Sequence, residues 1–388
     1  MLGFAVGMIS LAAWIFLLFG RGFFWLEKAV AKLPNVSKKP AVAIIVPARN
    51  EGEVVERTMQ SLLQQDYEGR YQIILVDDHS TDETEAKARL AAARMGKINC
   101  LTIIKAPPLA SGWSGKLWAL HAGIRHVARL APGPEYLLFT DADVLHPAHS
   151  LTQLVALAEA GDAGGRTYDL VSLMVRLNCR SLAEKLMVPA FVFFFQMLYP
   201  FRWARNHKSS VAAGAGGIML VRWEAMERMG GMPSIRNALI DDCAFAAAIK
   251  RTGTIWIGLS KDTISLRSHQ KLSGLWNMIA RTAFTQLSYS ALLLLGTIVG
   301  MFVIFVAPPV LLFTGWDWAA ALGAASWIFM TLAYSPMVQF YGLNPLWAAV
   351  LPLKALLYAG ATLDSALRYW RGKGGEWKGR AQAHQSHG

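Results

Sequence analysis

With 388 residues, a formal net charge of +12, and 54% hydrophobic but only 16% charged residues, the chain is far more apolar than a soluble protein with about 25% charged residues. A basic chain this apolar, without zinc-finger spacing or an RNP-like aromatic strand, points to a membrane and excludes nucleic acid as a partner. Cys100, Cys179 and Cys243 are spaced too widely for a disulfide framework or a metal cluster, and read as buried free thiols.

Residues 2–19 form an apolar run long enough for a slightly tilted membrane span. No basic segment precedes it and no small-residue cleavage site follows, so an N-terminal transmembrane helix over residues 1–20 is expected, not a cleaved leader. Arg21, Lys28, Lys32, Lys38 and Lys39 come next, with Glu27 the only acid among them. That bias places the flank and the domain after it in the cytoplasm.

Residues 41–46 are an apolar, β-branched strand that turns out through Pro47-Ala-Arg-Asn-Glu51. A helix over 54–64 follows, with Val55, Met59, Leu62 and Leu63 near one face. Residues 71–76 form a second strand ending in Asp77-Asp78-His-Ser80, and Ser80 or Asp82 is placed to cap an Ala-rich helix reaching about Met95. A third strand lies at 101–104. The βαβαβ order implies a parallel sheet with helices on its faces. No Gly-x-Gly-x-x-Gly follows the first strand, which excludes the dinucleotide fingerprint. The acids after the second strand suit a ribose hydroxyl or a base N–H, or else they cap the turn.

Gly112-Trp-Ser-Gly115-Lys116 is not a P-loop, because Leu117 follows the lysine. It reads as a turn that sets one cation near phosphate and leads into a helix over 117–127. Tyr136-Leu-Leu-Phe139 is a buried strand framed by Pro132, Pro134 and Pro147, and it runs out into Asp141 and Asp143. Ligands of open α/β sheets bind at the carboxyl ends of strands. Two acids one residue apart can hold a divalent cation and the phosphates it neutralises, or can cap a turn. His79, His121, His146 and His149 share no ligand spacing and read as solvated or packed.

Residues 171–176 suit another strand. The aromatic run 186–201, with Pro189 and Pro200 as breaks, is short for a span and reads as a surface helix touching the bilayer or a buried helix of the domain core. The glycines of 212–218 allow close approach of a ligand. Residues 239–242, Leu-Ile-Asp-Asp, open a helix to Lys250, where a carboxylate caps the helix or takes a proton from a hydroxyl. Residues 283–363 are almost wholly apolar, enough for three helices, or four with very short loops. Breaks are expected at Pro308-Pro309, Gly315-Trp316-Asp317-Trp318 and 341–345. Asp317 and Lys354 are isolated charges expected near an interface. Three spans would put the C-terminus outside, whereas Arg368, Arg371, Lys373, Lys378 and Arg380 favour the inside.

Five signals now stand in order: Val46-Pro-Ala-Arg-Asn-Glu51, Val76-Asp-Asp-His-Ser-Thr-Asp82, Gly115-Lys116, Thr140-Asp-Ala-Asp143 and Ile240-Asp-Asp242. With them the chain resembles the inverting family 2 glycosyltransferases of the GT-A nucleotide-diphospho-sugar transferase type. Among those it is most similar to the hopanoid-biosynthesis-associated membrane enzymes, relatives of ceramide glucosyltransferase. Trp377-Lys-Gly-Arg380 adds to the likeness. The resemblance implies an α/β GT-A domain over 41–282, about three C-terminal spans within 283–365, a basic tail over 366–388, and a multi-pass place in the bacterial inner membrane. It implies that Asp78 contacts uridine, that Asp141 and Asp143 hold Mg²⁺ or Mn²⁺ on the diphosphate, and that Asp242 is the base with Asp241 its partner. Pro47, Asn50, Glu51, Lys116 and Arg281 join the donor site on the same ground.

Processive members carry Gln/Arg-x-x-Arg-Trp before their later spans. Here Arg281 fits the arginine, but Met278 and Thr282 stand at the flanking positions, which counts against a polysaccharide synthase; Trp276 stands one turn away. The expected reaction moves a sugar from a nucleotide-sugar, most simply a UDP-sugar, to a hydroxylated lipid in the bilayer such as a hopanoid. A polyprenyl phosphate, a diacylglycerol or a ceramide-like lipid is the alternative acceptor. A transporter or scaffold with a vestigial nucleotide-sugar domain is the alternative of another class, and it would place paired polar groups within its spans.

Overall fold

The structure is a computed structural model that describes residues 1–31, 38–162, 164–238, 240–313, 318–372, 376–377 and 380–381. Lys32, Leu239, Gly315, Trp316, Asp317, Lys373 and Lys378, all invoked above, lie outside the described residues. The chain divides into two compact units. One takes residues 28–177, 203–267 and 376–388, the other residues 1–27, 178–202 and 268–375. Residues 178–202 and 268–282, read from the sequence as part of the 41–282 domain, thus cluster with the apolar segments.

In the first unit the described strands are β1 (Val42–Ala48), β2 (Tyr71–Asp77), β3 (Leu101–Lys105), β4 (Tyr136–Thr140), β5 (Val144–Leu145), β6 (Leu170–Arg176), β7 (Ile218–Arg222) and β8 (Ile255–Ser265). They form one sheet in the order β3-β2-β1-β4-β7-β6-β8-β5. β1 is buried at every position, as expected of a central parallel strand covered on both faces. β1 to β4 run parallel, while β7 lies antiparallel to β4 and β6, and β5 antiparallel to β8. Val55, Met59, Leu62 and Leu63 of the helix Val55–Leu63 pack into the core with Ile44, Val46, Leu75 and Leu138. The helix Gly115–Val127 begins two residues before the expected start because Ser114 caps it, its Oγ accepting from the Leu117 N–H at 3.4 Å. At the helix Thr84–Arg94, Asp82 and not Ser80 takes the Thr84 N–H, at 3.1 Å.

In the second unit, among the described residues, three helices are long and apolar enough to cross a membrane: Leu2–Gly20, Ala291–Leu311 and Trp318–Phe340. The third C-terminal helix, Leu351–Trp370, carries Lys354, Asp364 and Arg368 and falls outside that class. The C-terminal spans therefore number two by this measure, against an expected three.

Pro189, Pro308 and Pro309, expected as breaks, lie within helical segments instead. A helical proline lacks the N–H that would bond the carbonyl four residues back. For Pro189, inside Leu182–Leu198, that carbonyl belongs to Lys185, and the Lys354 ammonium donates to it at 3.1 Å. For Pro308 it belongs to Ile304, and the Trp14 indole N–H donates to it at 2.8 Å. Neighbouring side chains thus satisfy the freed backbone groups. Lys354 is fully buried, also donating to Tyr334 Oη at 2.9 Å. The middle of the 182–198 helix is buried, with Phe193 packed on Tyr334 and Phe194 on Tyr358.

That helix begins with a capping box, Ser181 and Glu184. The buried Glu184 carboxylate accepts from the N–H groups of Arg180, Ser181 and His269 and from the Ser268 hydroxyl, at 2.8, 2.9, 2.7 and 3.2 Å. Burial alone would raise its pKa, but these donors outweigh it and hold it below the ordinary 4.5. Its contribution is therefore present at neutral pH and is lost as pH falls below 4.5. Glu184→Ala leaves three backbone N–H groups without their acceptor, and about 2–4 kcal/mol of stability should go with them. Thermal melting in detergent checks this, with Glu184→Gln expected to lie between the variant and wild type.

Candidate active site

The topology carries the acids to one edge of the sheet. β1 and β4 are neighbours, and the chain winds from β1 outward to β3 before returning to β4, so the sheet order reverses between them. Such a switch point opens a crevice at the strand ends. Pro47 lies in β1 just before the turn to Glu51, and Asp141 follows β4 directly. β7 is antiparallel and pairs Ile218 with Thr140, which brings its leading glycines to the same edge. Pro47, Lys116, Asp141, Gly216, Asp241 and Asp242 line one cleft there.

The loops after β1 and β2 clasp each other. Asn50 donates its N–H to Ser80 Oγ at 3.0 Å, and its side-chain oxygen accepts from the Thr81 N–H at 2.8 Å. Both Asn50 and His79 hold positive φ, 50° and 55°, which the short polar side chain of Asn tolerates well. The Gly52 N–H donates to Asp82 at 2.9 Å. Asp77 does cap its own turn, accepting from the Ser80 N–H at 3.1 Å. Asp78 is fully buried, and Arg49 donates to its carbonyl at 2.6 Å and stands 3.8 Å from its carboxylate.

Two cations of the chain, Lys116 and Arg267, meet acids at and beside the cleft. Lys116 Nζ contacts Asp141 Oδ1 at 2.7 Å. Burial alone would lower the Lys116 pKa, but Asp141, Asp241 and Asp242 together hold it above its usual value. The Asp141 carboxyl is pushed up, by burial first and by Asp143, with Lys116 opposing. Asp143 is buried and accepts from Arg267 Nε at 2.7 Å, and the same guanidinium donates through Nη2 to Glu51 at 2.8 Å.

Asp242 sits in the first turn of the helix Asp241–Lys250. Its Oδ2 accepts from the Gly216 N–H at 3.0 Å and its Oδ1 from the Cys243 N–H at 2.8 Å. A Cβ at position 216 would stand 3.2 Å from Lys116 Nζ, which would have to give slightly, and at an ordinary contact distance of 3.6 Å from Asp242 Oδ2. Burial, and then the neighbouring Asp241, raise the Asp242 carboxyl from 3.8 to about 6, against the pull of Lys116. A carboxylate with that value is a competent base near neutral pH.

The structure therefore brings Pro47, Lys116, Asp141, Asp241 and Asp242 together, with Glu51 and Asp143 joined through Arg267. Arg281 belongs to the other unit, where it ends the helix Leu272–Ala280. His146 is a packed imidazole: its Nε2 meets Thr140 Oγ1 at 2.9 Å, and burial lowers it to about 3. Arg267 was missed from sequence, and its only signal was to be the first basic residue after the long strand 255–265. Among the described residues no three His, Cys, Asp or Glu side chains group as a metal cage. The oxygen donors of Asp141 and Asp143 still fit Mg²⁺ or Mn²⁺, which commonly take one or two carboxylates and complete their shell with substrate phosphates.

Residues 43–175 match the family model for glycosyl transferase family 2. Over 115 residues, 29% of this chain, the protein is 34% identical to the 4,4'-diaponeurosporenoate glycosyltransferase of Staphylococcus aureus (strain MRSA252). Over 116 residues it is 29% identical to the enzyme of the same name in Staphylococcus haemolyticus (strain JCSC1435). These matches span about a quarter of the curated relatives' length, 26% and 28%. A solved mannosyltransferase from Pyrobaculum calidifontis, in complex with GDP-Man and Mn²⁺, superposes with a TM-score of 0.56 at 20% identity, over 96% of this chain and 99% of that one. Residues 43–175 thus match glycosyl transferase family 2 within a mixed α/β fold of the GT-A kind, shared with that mannosyltransferase, and the chain also carries helices long and apolar enough to span a membrane.

Proposed function

We propose that this protein is an inverting glycosyltransferase of the membrane surface, moving a sugar from a nucleotide-diphospho-sugar to a lipid. The observation that carries the reading is the convergence, in one cleft, of Asp141 and Lys116 with a carboxylate raised to about 6, Asp242. Asp242 would take the proton of the attacking hydroxyl as it displaces the diphosphate from the anomeric carbon. Asp141 and Asp143 would hold Mg²⁺ or Mn²⁺, which when bound offsets charge on the leaving diphosphate. Lys116 would supply further positive charge there, and Asp78, which follows β2, would meet the nucleoside.

The relatives' names supply a second acceptor class, a lipid acid. A carboxylate acceptor arrives already deprotonated and needs no base. A carboxylate tuned to about 6 by burial and by Asp241 favours a hydroxyl, and a hopanoid or related isoprenoid alcohol is the acceptor we propose. The cytoplasmic face of a bacterial inner membrane is the proposed site of action, from the basic flank after residue 20.

Purified protein incubated with lipid extract and radiolabelled UDP- and GDP-sugars tests this. Label should enter a lipid product that survives mild alkali, as a glycoside does. An alkali-labile product would identify a glycosyl ester and a lipid acid as acceptor. No transfer from any nucleotide-sugar would remove the enzymatic reading.

A further inference from the structure

Each acid of the Asp141/Asp143 pair is already met by a cation of the chain, and the two cations are held differently. Lys116 lies on the helix Gly115–Val127, its side chain 22% exposed. Arg267 follows the end of β8, and its side chain is 42% exposed, whereas its partners Asp143 and Glu51 are 11% and 13% exposed. The guanidinium is therefore the most exposed member of this trio, while the two acids it bridges are largely covered. Asp143 is anchored through its own carbonyl, which accepts from the Leu266 N–H at 2.6 Å where β5 pairs with β8.

We propose that Arg267 is a placeholder cation: it occupies Asp143 and Glu51 in the donor-free protein, suppresses divalent-cation binding there, and passes to the donor's diphosphate when metal and nucleotide arrive together. This rests on the reading of Asp141 and Asp143 as the metal–diphosphate site. A divalent ion entering alone would add two positive charges beside Lys116 and Arg267. Entering with a diphosphate ester, which carries about two negative charges, it leaves the local charge unchanged. A guanidinium also pairs with phosphate oxygens in the same forked manner as with carboxylates, so the exchange keeps its hydrogen bonds. Metal and donor should therefore bind cooperatively, and Arg267 is the positioning residue that makes them so.

The test is Mn²⁺ binding followed by electron paramagnetic resonance on the full chain, without and with UDP or GDP. Wild type should bind Mn²⁺ weakly alone and much more tightly with nucleotide. Arg267→Gln should bind Mn²⁺ alone roughly tenfold tighter or more, since a like charge within a few ångströms is gone. It should also lose most of the nucleotide's enhancement. Arg267→Lys keeps the charge and should stay nearer wild type, which separates the effect from misfolding, and melting curves accompany each variant. Asp143→Asn should weaken Mn²⁺ binding in the presence of nucleotide. If Arg267→Gln matches wild type within twofold while Asp143→Asn loses the ion, the placeholder role is overturned and the metal site stands. If neither wild type nor any variant binds Mn²⁺ even with nucleotide, the metal reading itself fails and the placeholder with it.

Discussion

Asp242→Asn should keep the fold and donor binding while turnover falls roughly 10²–10⁴-fold, the usual contribution of a general base. Asparagine retains one carbonyl oxygen and so keeps one of the two bonds now made to Gly216 and Cys243. Its loss in stability is then about 1 kcal/mol, far from the cost of a collapsed site. What it lacks is the ability to bind a proton. Because the Asp242 pKa is raised to about 6, wild-type turnover should fall as pH drops through that value. That acid limb should be absent from the residual activity of the variant. The same shift gives a second readout. A carboxyl with a raised folded-state pKa stabilises the protein below its unfolded value of 3.8, and that contribution is lost as pH rises through about 6. Wild type should therefore lose stability relative to Asp242→Asn as pH rises from about 4 to about 6.5. Asp241→Asn, one residue away, should lose less turnover. Near-wild-type turnover in Asp242→Asn would remove the base and turn attention to a lipid acid as acceptor.

What the sequence disclosed was what is written locally. β1, β2 and β4 announce themselves as apolar runs ending in polar turns, and a strand's end is where its following acids must emerge. Asp78, Asp141 and Asp143 were therefore readable from a few residues each. Arg267 was not, because its place next to Asp143 depends on pairing Val144 with Ser265 across the sheet, a separation of 124 residues for the side-chain contact. Nothing near position 267 encodes that pairing. The expected break at Pro189 was misjudged for a similar reason. Pro189 reads as a break when only its own segment is considered, and the lysine that satisfies the freed carbonyl is at 354, 169 residues away. The true start of the helix 182–198 was nevertheless legible, since Ser181-Leu-Ala-Glu184 is a capping-box pattern. Lys354 looked isolated because its partners, a backbone carbonyl and the Tyr334 hydroxyl, leave no trace in a charge count.

Lys116→Met should have the next largest effect, roughly 10²–10³-fold in turnover at pH 7, with a signature that a packing defect does not produce. Methionine fills nearly the same space and carries no charge. Lys116 touches Asp141 at 2.7 Å, and its field acts on Asp141, Asp241 and Asp242 together. Two consequences follow from removing it. The leaving diphosphate loses a fixed positive charge, and one such contact is worth about 10²–10³ in rate when it strengthens in the transition state. The acids also lose the one influence of a neighbouring cation that opposes burial and mutual repulsion. Lys116 lowers both Asp141 and Asp242. Without it the Asp242 pKa should rise further above 6, so that the acid limb of the pH–rate profile moves upward and part of the lost activity returns between pH 8 and 9. Lys116→Arg keeps the charge and should leave the limb near its wild-type position. Reduced activity in Lys116→Met with an unmoved acid limb would mean that Lys116 acts on the donor alone, and that Asp242 is tuned by burial and Asp241 without it.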